Sequence, residues 1–431
     1  MTSLTLLVLL AASLFALSSC STACVKQECN SMNLHADYVF LIDSSRSLGE
    51  GQFDAVKQFL TSFATTVRIG ADMDHVQMQF ITYSLNAASH GTLQQSTPEF
   101  VKQTIASLTY EDYGDREITK ALQIEEGTVN GLRPGAKHIL VVLSANSFTG
   151  TLPESNGLLS KVRAKYDALL SIGIGGSAIK DGYLDLEQFA GSPDAMMFIS
   201  FADQLDYARL WIQKNGCPQA HIVTTTPVPT QKPTQPASVT CRLNTLDYTF
   251  YLIIDASLSI STSKFLRLKN ELIEFIQLYN IVDNGTQFGL TTVSVGAELY
   301  YTGLQNGQTK EGIINKLKIL TQDGTDGQTI KLAFQSVEHA YLKKFGTNKH
   351  PQLAIYVTAN TNFDTAPFDY IKELNTKYGL KTLAVRYGDS ADASVLAKIT
   401  GGATCVYDTT TSPEAGMAAW LQEATCKKNF C

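Results

Sequence analysis

The chain has 431 residues, enough for two or three domains of ordinary size. Its 44% hydrophobic and 17% charged residues exclude wholesale disorder. Its 34 Lys+Arg against 40 Asp+Glu leave a net charge of −6, which gives no basic footprint for nucleic acid or an anionic membrane.

Leu4 to Leu17 is almost continuously apolar, and small residues follow from Ser18 to Ala23. This is the pattern of a secretory signal over 1–20, cleaved between 18 and 23. It is shorter than the roughly 20 apolar residues of a membrane helix. No later stretch of about 18 apolar residues occurs, so no membrane span is expected. The polar tail Thr425–Cys431 does not resemble a lipid-anchor signal. The mature protein is expected to be secreted and extracellular, where eight Cys can serve as a few staples.

Next comes an apolar strand, DYVFLID, ending at Asp43 and followed by Ser45 and Ser47. A helix follows with Phe53, Val56, Phe59, Leu60 and Phe63 at helical spacing. Further apolar runs, HILVVLSAN (138–146) and LLSIGIG (169–175), read as buried strands, and a short helix ends at Ala190-Gly191. Residues 217–240 are rich in Thr and Pro and without apolar period, which predicts a semi-rigid linker. The same series then recurs. DYTFYLIID ends at Asp255 with Ser257 and Ser259 behind it. A helix carries Phe265, Leu268, Leu272, Phe275 and Ile276, and QLAIYVTAN, TLAVRYG and Thr400-Gly401 follow. The landmarks repeat 210 to 214 residues apart, so the chain is a tandem duplication. Strands alternating with amphipathic helices predict an α/β fold: two tandem doubly wound, mostly parallel sheets flanked by helices, over 34–215 and 245–427.

Ligands of such sheets collect outside the carboxyl ends of the strands, where Asp43 and Asp255 stand. One carboxylate and two hydroxyls at alternate loop positions are hard oxygen ligands. Asp43, Ser45 and Ser47, and Asp255, Ser257 and Ser259, are therefore candidate ligands for Mg²⁺ or Mn²⁺. The same oxygens can instead accept backbone N–H groups and cap their loops.

Asp-x-Ser-x-Ser after a buried strand, in both copies, resembles the von Willebrand factor A (integrin I-like) domain. The resemblance covers about 36–214 and 246–426. It implies a metal-ion-dependent adhesion site at the top of each sheet, an extracellular protein partner presenting an acidic residue, and a binding rather than catalytic role in adhesion, matrix or defence. It also implies a Thr from a second loop and an Asp from a third. Anchoring on the following helix puts Arg116 and Gln328 at the Thr position, with Thr119 and Thr329 available only after a register shift. The third loop reads Ser144-Ala145-Asn146 and Thr358-Ala359-Asn360, with Ala in place of Asp. Each site thus keeps one carboxylate. An inward Arg116 would repel an ion by roughly 4 kcal/mol at 4 Å and an effective dielectric near 20. The ligand count favours loop capping over tight metal binding; a secreted protein-binding module is the leading expectation, and a structural module with non-functional metal sites is the alternative.

Because the termini of such domains lie close together and some members tie them, the resemblance implies bridges Cys29–Cys217 and Cys241–Cys426, with Cys405 and Cys431 as a third pair. Cys20 and Cys24 stay unassigned. Asn284 heads the only glycosylation sequon. The seven His are scattered and no nucleophile–base set emerges, so no enzyme is read here. Gly173 to Ala178 matches a dinucleotide fingerprint, but it lies late in the first copy and is lost in the second, so no organic cofactor is expected.

Overall fold

A computed structural model describes residues 34–431 apart from 73, 151, 153–156, 218–240, 283–284, 302–306, 324 and 344–349. The expected signal stretch, Cys20, Cys24, Cys29, Asn284 and nearly all of the Thr/Pro-rich stretch lie outside the described residues.

The first copy contributes β1 (Ala36–Asp43), β2 (Val76–Tyr83), β3 (Ala87–His90), β4 (Lys137–Ser144), β5 (Ala168–Ile174) and β6 (Met196–Ile199). The second contributes β7 (Thr249–Asp255), β8 (Gln287–Val293), β9 (Gly296–Tyr301), β10 (Gln352–Thr358), β11 (Lys381–Arg386) and β12 (Val406–Asp408). Each set has the order 3-2-1-4-5-6, with its first strand central. β1 and β7 are buried along their whole length, which is why they read as continuous apolar runs rather than as alternating ones.

Helices cover both faces. The Glu50–Thr65 helix buries Phe53, Val56, Phe59, Leu60 and Phe63, and Thr262–Gln277 buries Phe265, Leu268, Leu272, Phe275 and Ile276. Each such side chain stabilises the fold by about 1.5–3 kcal/mol on burial. The corresponding helices Tyr183–Ala190 and Ala393–Thr400 both stop at a left-handed glycine, Gly191 (φ 80°) and Gly401 (φ 87°), a conformation that costs any residue with a Cβ.

The two sheets are not separate. β6 pairs antiparallel with β9, Phe198 opposite Ala297, and a 12-stranded sheet results. The Thr/Pro composition suggested two modules held apart by a spacer. Instead, two edge strands with unpaired backbone groups have satisfied one another. One apolar cluster spans the seam, uniting Tyr183 and Phe198 of the first copy with Ala297, Leu299, Ile330 and Val337 of the second.

Strand direction follows from the pairings. β1, β4, β5 and β6 are parallel; β9 reverses against β6, and β8 reverses again to run parallel with β7. The carboxyl ends of β1 and β7 therefore share one edge of the sheet. Six interstrand spacings separate them, about 29 Å along the sheet at roughly 4.8 Å each.

Disulfides join Cys241 to Cys426 and Cys405 to Cys431. Cys217 is also disulfide-bonded. Among the described residues no helix is long and apolar enough to cross a membrane.

Candidate functional site

Asp43 closes β1 and is fully buried. Its Oδ1 accepts the Ser45 N–H at 2.9 Å; its Oδ2 accepts the Ala145 N–H at 3.0 Å and faces the Ser144 hydroxyl at 3.5 Å. Ser45 Oγ accepts the Ser47 N–H at 3.3 Å. Burial pushes the Asp43 carboxyl above its usual range, while the Ser45 and Ala145 donors and the Arg116 charge pull it back. Asn146 turns its amide oxygen onto the Ser147 N–H at 2.7 Å, within its own loop.

Arg116 points into this site. Its Nε donates to the Ser147 carbonyl at 2.5 Å, and its Nη1 donates to the Gly114 carbonyl at 2.8 Å and to Ser47 Oγ. Thr149 Oγ1 accepts the Arg116 N–H at 2.8 Å and fixes the loop. The guanidinium also lowers the carboxyl of Asp185, which burial raises and which accepts the Phe148 N–H at 2.8 Å. Thr119 lies in the helix beyond, Ile118–Thr128.

The second site repeats the frame and changes its filling. Asp255 Oδ1 accepts the Ser257 N–H at 2.9 Å and its hydroxyl at 2.6 Å; Oδ2 accepts the Thr358 hydroxyl at 2.9 Å and the Ala359 N–H at 3.1 Å. Burial again raises this carboxyl against those donors. Ser257 Oγ accepts the Ser259 N–H at 3.2 Å. Gln328 is buried and accepts the Tyr356 hydroxyl at 2.9 Å. Thr329 donates to the Ser294 carbonyl at 3.1 Å. Neither side chain hydrogen-bonds to Asp255, Ser257 or Ser259.

Two acidic residues that no motif reveals join this site. Ser259 Oγ donates to Asp326 Oδ1 at 3.3 Å and accepts from Asn360 Nδ2 at 3.4 Å. Asp323 Oδ1 accepts both the N–H and the hydroxyl of Thr325, while its Oδ2 is buried with no hydrogen-bond partner among the described residues. Burial, with Asp255 adding to it, raises Asp323 to about 6 against the hydroxyls of Ser294 and Thr325. Their signal was present only as acidic residues in the loop before the 330–337 helix.

A hard cation fits the two sites unequally. In the first, a guanidinium already donates to the Ser47 hydroxyl, and a divalent ion about 4 Å away would meet roughly 8 kcal/mol of repulsion at an effective dielectric of 20. That set does not fit a metal. In the second, a partnerless carboxylate oxygen, Asp326 and the Ser259 hydroxyl are of the right oxygen chemistry. No three His, Cys, Asp or Glu side chains converge as a ready cage among the described residues, so an ion there would lean on hydroxyls and water.

A doubly wound sheet with a carboxylate–hydroxyl loop at its carboxyl edge defines an α/β binding module, here present twice. The chain belongs to the von Willebrand factor type A domain family, whose profile matches residues 37–208 and 250–419. It is 22% identical over 381 residues to the mouse collagen alpha-6(VI) chain, covering 84% of this chain and 15% of that one. It is 23% identical over 348 residues to rat von Willebrand factor, covering 76% of this chain and 79% of that sequence. Proximal thread matrix protein 1 from the mussel byssus, solved with a zinc-occupied MIDAS motif, superposes with a TM-score of 0.39 at 17% identity, covering 91% of this chain and 97% of that one. The relatives are extracellular matrix and adhesion proteins rather than enzymes.

The Gly173–Ala178 stretch serves packing. Gly173 lies against the Phe198 ring, where a Cβ would collide, and 175–180 is a short helix.

Proposed function

We infer that the protein works outside the cell as a two-domain recognition module that binds partner proteins through the upper edge of its fused sheet. The observation that carries this is the placement of the Asp43 and Asp255 loops on one edge of the sheet, at the carboxyl ends of parallel strands. The second site is the metal-assisted one: Mg²⁺ or Mn²⁺ held by Ser257, Ser259 and Asp326, with Asp255 and Asp323 behind. The ion would offer an open position to a partner's carboxylate. This chain's own part is to orient Ser259 between Asp326 and Asn360 and to keep Asp255 fixed by four donors. Matrix and adhesion relatives support an extracellular binding role without catalysis. The full satisfaction of Asp255 by protein donors favours a second reading, a structural module with no ion.

Calorimetric titration of Mn²⁺ and Mg²⁺ separates the two. Millimolar or tighter binding, lost in Ser259→Ala and Asp255→Ala, supports metal assistance. Flat traces for all three proteins refute it.

A further inference from the structure

The two sites differ at one hydroxyl. A guanidinium has five N–H donors in a fixed fork. In Arg116 the Nε donor and both Nη1 donors are spent on Ser147, Gly114 and Ser47. The two Nη2 donors have no acceptor among the described residues. The backbone that carries the arginine is held on both sides. Its N–H donates to Thr149 Oγ1, and its carbonyl accepts the Thr149 N–H at 3.0 Å. Ser47 is exposed and Arg116 half-buried, so this end of the guanidinium faces solvent above the loop. Its charge reaches two buried or half-buried carboxyls, Asp43 and Asp185.

We propose that Arg116 is the resident cation of the first site: it claims the Ser47 hydroxyl that an ion would need, and offers Nη2 to a partner's carboxylate without any metal. A planar guanidinium stays protonated and matches a carboxylate geometrically, so it does permanently what a bound ion does conditionally. The carboxylate contact rests on the recognition role proposed above; the exclusion of metal does not. The result is one edge with two chemistries about 29 Å apart, one blind to chelators and one sensitive to them.

Two measurements on the full chain test this. In the first, Mn²⁺ alone is titrated and free Mn²⁺ is read by electron paramagnetic resonance. Asp43→Asn is expected to leave the wild-type isotherm unchanged. Arg116→Thr is expected to gain Mn²⁺ binding that Asp43→Asn in the same background removes. Loss of bound Mn²⁺ from otherwise wild-type protein on Asp43→Asn would overturn the proposal. In the second, a capped aspartate-containing peptide is titrated in excess EDTA, and the Arg116 Nε resonance is followed by NMR. Binding is expected to shift that resonance, and Arg116→Gln to weaken the peptide at least tenfold. Arg116→Lys, which keeps the charge, controls for folding and should stay intermediate. No shift, or equal affinity in Arg116→Gln, overturns the carboxylate contact while leaving the metal result to stand or fall alone. A partner protein that binds elsewhere would sink the recognition role without touching either measurement.

Discussion

The sheet seam makes a demand on unfolding. Phe198 lies in β6, is fully buried, stacks on Tyr183 with ring centroids 5.9 Å apart, and pairs across the seam with Ala297. Removing its ring in Phe198→Ala opens a cavity in the cluster that unites the two copies, at a cost of about 3–5 kcal/mol. Phe40→Ala is the control. Phe40 is equally buried but belongs to the cluster of the first copy, which holds few residues of the second. Differential scanning calorimetry is the assay. With a shared sheet and core, the wild type should melt in one endotherm whose van't Hoff and calorimetric enthalpies agree. Phe198→Ala should lower the melting of the first copy by about 2–4 °C per kcal/mol and split the trace in two. Phe40→Ala, of similar cost, should lower the midpoint and leave one transition. Two independent endotherms in the wild type, the upper one unmoved by Phe198→Ala, would refute the idea that the seam couples the domains.

Two carboxyls should write opposite pH signatures. Glu298 in β9 stands opposite Met197 and lines a small cavity of about 230 Å³ with Trp211, Lys214, Tyr300 and Asp323. Burial raises it to about 7, against the pull of Lys214 and a hydrogen bond with Trp211. A raised carboxyl contributes its stability fully below the unfolded value near 4.5 and loses it as pH rises through about 7. Glu298→Gln should therefore match the wild type at pH 4 and exceed it at pH 8 by up to about 3 kcal/mol in chemical denaturation; a mutant less stable at pH 8 would contradict this. Glu338 is the reverse case. Burial alone would raise it, but donors at 2.5 Å from Tyr370, 2.9 Å from Lys377 and 3.0 Å from Tyr378 outweigh that and hold it at about 2. Its stability is present above pH 4.5 and lost as pH falls through about 2. Glu338→Gln should thus be destabilised at pH 6, with the gap closing towards pH 2; a gap constant with pH would contradict it.

What could be read in the sequence follows from range. The helix faces at Phe53–Phe63 and Phe265–Ile276 were legible because a one-sided helix writes its burial at a fixed local period. Asp43 and Asp255 were legible because an apolar strand ends on them. The register of Arg116 was also readable from the helix behind it, though not the direction of its side chain, which depends on the Ser147 carbonyl and the Ser47 hydroxyl brought in from two other loops. Asp323 and Asp326 were hidden for the same reason: nothing local in a loop says that it folds over a strand end 68 residues earlier. The seam was invisible, since MMFI and GAELYY report that they are strands and not whom they pair.

The duplication itself explains how one frame came to hold two hydrogen-bond patterns. At the common offset of 212, Gly114 corresponds to Asp326 and Arg116 to Gln328. In the first copy the pair carries one positive charge, and the Ser47 hydroxyl accepts a hydrogen bond from it. In the second the pair carries one negative charge, and the Ser259 hydroxyl donates to it. With Asp115 opposite Gly327 between them, the three positions carry no net charge in the first copy and one negative charge in the second, and they reverse the hydrogen-bond sense of the same hydroxyl, while the buried Asp, its backbone donors and the strand beneath are common to both. Each hydroxyl accepts one hydrogen bond, from Arg116 or from Asn360, so what separates them for a cation is charge: Ser47 lies against a guanidinium, Ser259 against a carboxylate. Change at positions 114–116 is then a shorter route to a different charge beside the serine hydroxyl than remaking the loop around Asp43, whose four flanking residues are buried or hydrogen-bonded into the sheet end.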